Sequence, residues 1–474
     1  MSVAGAPNEW LFDPAGLASR LPSGFTLGVA TSALQIEGGL REGGREESTW
    51  DIFMAQPGRI ADASDARVAA DSYHRSSEDV ALMRELGIDA YRFSLAWSRL
   101  QPGGSGRLNR AAVTYYDRLL DQLLAQGISP MVTAYHWDTP ETLQHKGGWL
   151  NRDTAYRFAE FAFHAGEAFG DRVSSWVTIN EPATVMLNGY AIGVHAPGAT
   201  LLFDALPAAH HQLLGHGLAV DALRTAGVSG RIGITNVHSP VEPAGDSEDD
   251  ALYAGLFDIL HNRLFADPVL LGRYPEIPEQ LLPLFTSLNE IDPADLAVIS
   301  APLDFYGLNY YAPTRIRAGM PQSARTPDGE AAAVRSLPFS LMPWPEFEST
   351  GFGWPIAPDY LGVTLRELAE RYGDALPAIV ITEGGASFPD DPDVDGGVVD
   401  DADRISYLAD HIAVAAEGVE GVTVVGYYIW SLLDNWEWAA GFSQRFGIVY
   451  VDAETQDRTP KRSYRWLQEL LGAR

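Results

Sequence analysis

Eight times along this 474-residue chain, a short and almost wholly apolar segment is followed by a longer stretch with helical spacing. The segments are Phe25–Thr31, Ile88–Ser94, Ile128–Tyr135, Ser175–Asn180, Arg231–Asn236, Leu303–Leu308, Pro377–Thr382 and Thr423–Ile429. Near-continuous apolar runs of this length suit parallel strands buried on both faces. Between them, Asn109–Gln126 places Val113, Tyr116, Leu120, Leu123 and Leu124 on one side of a helix, with Asn109 as its cap and Gly127 as its stop. Arg152–Phe169 repeats the device between Asn151 and Gly170, and Ser77 is placed to cap a helix carrying Val80, Leu82, Met83 and Leu86 before Gly87. Leu361–Tyr372 and Asp403–Ala416 read the same way. This alternation predicts an α/β chain: a single (β/α)8 barrel of the TIM type over residues 1–474, with long loops over the C-terminal face of the strands. The alternative is an open doubly wound sheet, but no GxGxxG or GxxxxGK[ST] follows a strand.

No stretch has the composition of a linker. Ala312–Pro358 is the richest in turn formers, yet its aromatics make it too apolar for a tether. It is expected to be a long loop over the barrel mouth, with a small separate domain as the alternative. The acidic run Glu242–Asp250 is expected to be a solvated loop and helix start, without the spacing of a calcium loop.

Composition narrows the function classes. With 46% hydrophobic and 11% aromatic residues, the chain is not a disordered one. The absence of cysteine excludes disulfides, thiolate metal sites and a cysteine nucleophile. Basic residues number 33, of which only Lys146 and Lys461 are lysines, against 63 acidic ones. The net charge of −30 disfavours nucleic acid and anionic membranes as partners. No apolar run approaches the ~18 residues of a membrane span. The opening MSVAGAPNEW has neither a basic nor an apolar leader region, which gives a cytoplasmic expectation.

In such a barrel, chemistry collects where the strands end. The first strand is followed by Gln35 and Glu37, and the second carries Arg92. The third ends in His136-Trp137-Asp138, the fourth in Asn180-Glu181-Pro182 and the fifth at Asn236. Asn309, Tyr310 and Tyr311 follow the sixth, and Glu383-Gly384-Gly385 end the seventh. Trp430 ends the eighth, with Glu437 and Trp438 just beyond. Glu181 and Glu383 stand three strands apart, across the mouth from each other. Two carboxylates among amides and tryptophans suit glycosidic bond cleavage: one protonates the leaving oxygen and the other meets the oxocarbenium-like carbon. Tryptophan faces suit sugar rings, and amides, histidine and acids suit their hydroxyls. A structural ion pair is the plain alternative for either glutamate taken alone.

The ordered motifs Thr178-Ile179-Asn180-Glu181-Pro182, Ile381-Thr382-Glu383-Gly384-Gly385 and Trp430–Trp438 resemble glycoside hydrolase family 1, the β-glucosidase family. Gly28–Gly38, Tyr91–Ser94, Tyr135–Asp138 and Gly307–Tyr311 extend the resemblance from about residue 20 to the C-terminus. It implies a retaining barrel enzyme without metal or other cofactor, acting on a β-glucoside or short β-linked oligosaccharide. By resemblance, Glu181 is the general acid/base and Glu383 the nucleophile. Gln35, His136, Asn180, Glu437 and Trp438 match the holders of the non-reducing sugar, and Trp430 matches the platform beneath it. Arg92, Asn309 and Tyr311 match groups around the nucleophile. Asn236 and Phe446 are weaker carry-overs. Broader action on β-galactosides or β-fucosides, transglycosylation, and an inactive sugar-binding barrel stay open. A 6-phospho-β-glycosidase is disfavoured, because Glu437 is present and Trp438–Gly447 holds no lysine.

The sequence departs from the family pattern at three positions. Gly384 replaces the usual Asn and is expected to loosen that loop. Ala183 replaces a frequent Trp and is expected to widen the leaving-group side. Leu27 stands where Trp is common. His210, His211 and His216 lack HExxH spacing and are expected to be structural, as are His74 and His164. Trp10, Trp50 and Trp176 are expected in the core. Trp344, Trp354 and Phe352 are candidates both for the leaving-group side and for ordinary loop packing.

Overall fold

The structure, a computed structural model, describes residues 13–320, 334–390 and 399–474. Trp10 lies outside them. Each of the eight apolar segments is a strand. They are β1 (Thr26–Ala30), β2 (Ala90–Ser94), β3 (Ser129–Tyr135), β4 (Ser175–Asn180), β5 (Arg231–Val237), β6 (Phe305–Asn309), β7 (Ile379–Gly384) and β8 (Val424–Trp430). All neighbours pair in parallel in chain order, and β1 closes the ring against β8. Consecutive parallel pairing with helical crossovers is the right-handed βα arrangement.

Two apolar layers hold the barrel. The lumen is filled by Ala30, Ala90, Met131, Val177, Phe305, Val380 and Tyr428, one from each strand except β5. At β1 the glycine is required: a Cβ on Gly28 would lie 2.3 Å from the Tyr428 ring. The outer strand faces, with residues such as Val132, Ile179, Ile234, Leu308, Ile381 and Ile429, join the helices in one continuous core. Helix Pro14–Arg20 packs against the C-terminal helix Arg462–Gly472, so the ends of the described chain meet on one side of the barrel. No helix among the described residues is long and apolar enough to cross a membrane.

The helix expectations hold in position and differ in detail. Asn109 caps Arg110–Ala125 by accepting from the Ala111 N–H, and Gly127 follows at φ +75°. The helix expected to begin at Ser77 instead runs from Ser72 to Leu86, across a kink at Arg75, and the Ser77 hydroxyl accepts from Gln122. Arg152 rather than Asn151 stands at the start of Asp153–Phe169, although the Asn151 side chain does accept from the Asp153 N–H at 3.0 Å.

The loop expected over Ala312–Pro358 is in part a sheet. Thr314–Ala318 pairs antiparallel with Phe339–Met342 and parallel with Val241–Pro243. That also corrects the acidic run: Glu242 lies in a strand, and buried Asp250 accepts the Ala318 N–H at 2.7 Å. Alternation in these segments is short, and their pairing is non-local, so no sequence window carries it.

Candidate active site

The two glutamates follow irregularities in the barrel. The register of β4 on β5 shifts between Val177 and Asn180, and that of β7 on β6 shifts between Ile381 and Glu383. Such bulges turn a strand end and re-aim its side chains. Glu181 itself sits at φ +46°, a conformation uncommon for a residue with a Cβ, and its N–H is held by the Thr235 carbonyl at 2.8 Å. Trp137 (φ +75°) and Trp438 (φ +52°) share this strain. All three line the same cleft of about 420 Å³, at the C-terminal ends of the strands.

Glu383 has a charged and a phenolic donor. Arg92 reaches its Oε1 at 2.5 Å, and the Tyr311 hydroxyl donates to its Oε2 at 2.7 Å. Arg92 is nearly fully buried and also donates to Asn180 Oδ1, Thr133 Oγ1 and the Thr382 carbonyl. Burial first, and then the charge of Glu383, hold the Tyr311 phenol well above its usual range, so it stays a donor.

Glu181 has only neutral partners. Asn309 donates to its Oε1 at 2.6 Å, and the Thr184 hydroxyl to its Oε2 at 2.8 Å. Burial, and next the nearby Glu383 charge, push its carboxyl up to about 7. Asn309 therefore serves the other carboxylate rather than the surroundings of Glu383 alone. Its own carbonyl is fixed by Thr382 Oγ1 at 2.7 Å, and Thr235 donates to that same hydroxyl.

At the far end stands Glu437, whose carboxyl burial and the Glu383 charge raise to about 8. Gln35 donates to it at 3.1 Å and to Asn435 at 3.1 Å, and accepts from Ser32. His136 stacks on Trp430 and on Trp438, with ring centroids 5.8 and 5.9 Å apart. One of its nitrogens meets the Asn180 amide at 3.2 Å, while Nδ1 is buried without a protein partner. Burial, and then Arg92, keep this imidazole neutral.

Of the site residues expected from the sequence, Glu181, Glu383, His136, Tyr311, Trp430, Glu437, Trp438 and Phe446 are on the cleft wall. Gln35, Arg92, Asn180 and Asn309 are buried one layer behind and act through those they hold. Asn236 is also behind the wall; its amide donates to the Tyr306 hydroxyl at 2.8 Å. Trp354 and Phe352 reach the wall, stacked at 4.8 Å, whereas Trp344 packs against Tyr360 and under Arg315.

Several expectations need correction. Gly384 does not loosen a loop. It is a buried strand residue, and a Cβ there would meet the Tyr427 hydroxyl at 2.2 Å. Ala183 is 1% exposed, packs in the core and is not among the residues that line the cleft. Trp50 is buried as expected, but it backs Trp438 at 4.7 Å. Trp176 is in the core. His210 bonds Tyr274 and Asp295, His216 bonds Thr178, and His211 meets the Trp149 carbonyl. His74 pairs with Asp71 and Glu42, and His164 with Glu167. Thr184, Asn188 and His195 on the wall went unforeseen, because no strand end announces them.

Three comparisons bear on this arrangement. The sequence model described as glycosyl hydrolase family 1 matches residues 17–474. The chain is 42% identical to beta-glucosidase A of Acetivibrio thermocellus, over 95% of this chain and 98% of that one. It is 39% identical to a bifunctional beta-D-glucosidase/beta-D-fucosidase of Bifidobacterium breve, with the same coverage. The solved family 1 β-glucosidase of Thermotoga maritima superposes with a TM-score of 0.87 at 40% identity, covering 95% of this chain and 98% of that one.

Proposed function

The chain belongs to glycosyl hydrolase family 1, and from that premise we propose how its buried carboxylates divide the work of a retaining β-glucosidase. Glu383 attacks the anomeric carbon of a β-glucoside while the bond to the aglycone oxygen breaks. Glu181 gives its proton to that oxygen, so the aglycone leaves as an alcohol. The covalent ester on Glu383 has no charge, so the Coulombic pressure on Glu181 falls and its pKa drops. Glu181 then takes a proton from water as the water attacks the anomeric carbon. Glucose of the original β configuration is released, Glu383 is an anion again and Glu181 is protonated again.

The observation that carries this assignment is the contrast in partners. Both oxygens of Glu383 accept from fixed donors, a guanidinium and a phenol, which hold it in place as a nucleophile requires. Burial beside the Glu383 charge favours the protonated form of Glu181, as an acid requires. Trp430, Trp438 and His136 supply the flat faces for the sugar, and Glu437 meets its hydroxyls; Gln35 holds Glu437 from behind and Asn180 holds His136. Residues 1–474 are taken as one catalytic domain.

No lysine or arginine is among the described wall residues, so a 6-phosphate would find no cation there. The bifunctional relative favours a second, broader reading that includes β-fucosides. A side-by-side assay tests both: nitrophenol release from the β-glucoside, β-galactoside, β-fucoside and 6-phospho-β-glucoside. Release from the unphosphorylated sugars, with glucoside foremost, is expected. A folded protein that cleaves none of them, or only the phosphorylated one, overturns the assignment.

A further inference from the structure

Beyond the cleft opens a second chamber of about 650 Å³, and the two share Asn188, His261, Pro313, Thr314 and Trp354. These shared residues follow β4, β5 and β6. The sugar-side residues Gln35, His136, Trp430, Glu437 and Trp438 follow β1, β3 and β8. The chamber therefore borders the cleft on the side away from the sugar, where the leaving group points.

Its walls are apolar and built by unusual backbone. One wall comes from two π-helical stretches, Val185–Ala191 and Ile259–Arg263, a geometry that recurs at functional sites. The other comes from the small sheet, through Phe339 and Leu341. Three polar groups at its rim, Arg315, Thr314 and His261, are already engaged, which leaves the Asn188 amide at the junction with the cleft. Arg315 pairs with Glu346 and lies 3.7 Å over the Trp344 ring. Thr314 meets the Ser239 hydroxyl, and His261 the Asn262 amide. A second sugar placed there would leave most of its hydroxyls without partners, at the cost of their desolvation.

We propose that this chamber is the seat of an apolar aglycone, and that the enzyme favours β-glucosides of medium-chain or similarly sized apolar alcohols over cello-oligosaccharides. The inference rests on the β-glucosidase reading. The volume lies in the range that encloses a drug-sized ligand, and the five shared lining residues set the two cavities side by side, within reach of one substrate.

The test is the series propyl, butyl, hexyl and octyl β-glucoside, each below its micelle concentration, with cellobiose alongside. The alcohols from propyl to octyl have nearly the same basicity, so chemistry is constant and only contact varies. Full burial of a methylene is worth roughly fourfold, so half-burial of each gives about twofold, and kcat/KM is expected to climb on the order of 30-fold from propyl to octyl, carried mainly by KM. Octyl glucoside is expected to exceed cellobiose. Ile192→Asp and Leu341→Asp each put a charge into the chamber wall without touching the sugar side, and Leu341 is 65% exposed, so its replacement folds. Either is expected to remove most of the octyl gain and leave propyl glucoside within about twofold, since only the added methylenes lose their apolar contact. A flat series, cellobiose ahead of octyl glucoside, or a chain-length gain unchanged in both variants overturns the inference. A protein inert on every glucoside overturns the β-glucosidase reading beneath it as well.

Discussion

Asn309 is the register partner of Glu383 on the neighbouring strand, yet its amide donates not to Glu383 but to Glu181, at 2.6 Å. A single side chain on β6 thus links the strand carrying one carboxylate to the side chain of the other. Arg92 makes the complementary link from β2, since its two terminal nitrogens reach Glu383 and Asn180, the residue before Glu181. The distance between the two carboxylates is set by this buried lattice, which explains why so many polar residues sit in the upper barrel with almost no exposure.

Replacing the two glutamates should separate their roles. Glu383→Gln is expected to abolish turnover of every glycoside. Glu181→Ala is expected to lose alkyl glucosides by roughly 100-fold or more and dinitrophenyl glucoside far less, since the latter needs no proton. Equal losses on both leaving groups would remove Glu181 from the acid role.

The pH profile follows from the same carboxyl. Glu181 must be protonated for the first step, so kcat/KM should fall as pH rises through about 7. The hydrogen bonds from Asn309 and Thr184 favour its ionised form. Thr184→Val is therefore expected to move this limb to higher pH. A limb that stays in place in the variant assigns it to another group.

Stability should also decline as pH rises, because burial raises the Glu181 and Glu437 carboxyls. Glu181 ordinarily titrates near 4.5, and in the folded chain near 7. Below pH 4.5 both states are protonated and nothing is lost; between 4.5 and 7 the unfolded state alone ionises, so stability declines and stays lower above 7. Glu437 acts in the same direction up to about 8. Glu181→Gln is thus expected to stabilise the protein at pH 8 by about 3 kcal/mol and hardly at all at pH 4. Thermal melts at the two pH values measure the difference, and an equal shift at both refutes it.

Glu437 presents a separate test. If Glu437 holds sugar hydroxyls as proposed, Glu437→Gln should lower kcat/KM for the unmodified glucoside, since such contacts tighten in the transition state. Deoxyglucosides lacking the hydroxyl it contacts should show a much smaller loss. The same loss on every sugar would place Glu437 in folding rather than recognition.

Restoring the commoner family residue at the nucleophile loop should do harm here. Gly384→Asn brings a Cβ to 2.2 Å from the Tyr427 hydroxyl in a buried setting. A destabilisation of about 1–3 kcal/mol is expected, as for other overpacked cores. Tyr427→Leu in the same chain should recover part of it. A fully stable single variant would mean that the Tyr427 ring moves freely.

The chain's own order of residues was enough for the barrel, and the reason is local. Each strand is buried on both faces, so each is a solid apolar run, and parallel strands in chain order need no distant information to be placed. Glu181 and Glu383 were legible for the same reason, since strand ends in a closed ring must converge. Contacts between distant segments settled the rest. The irregular registers before both glutamates, the turn of Asn309 toward Glu181, the Tyr427 ring against Gly384 and the small sheet beside the apolar chamber all depend on non-local packing. Sequence thus determined which groups arrive at the mouth. Tertiary structure decided which of them is raised in pKa, which stands behind the wall, and where the second cavity lies, because burial and neighbouring charge belong to no single segment of the chain.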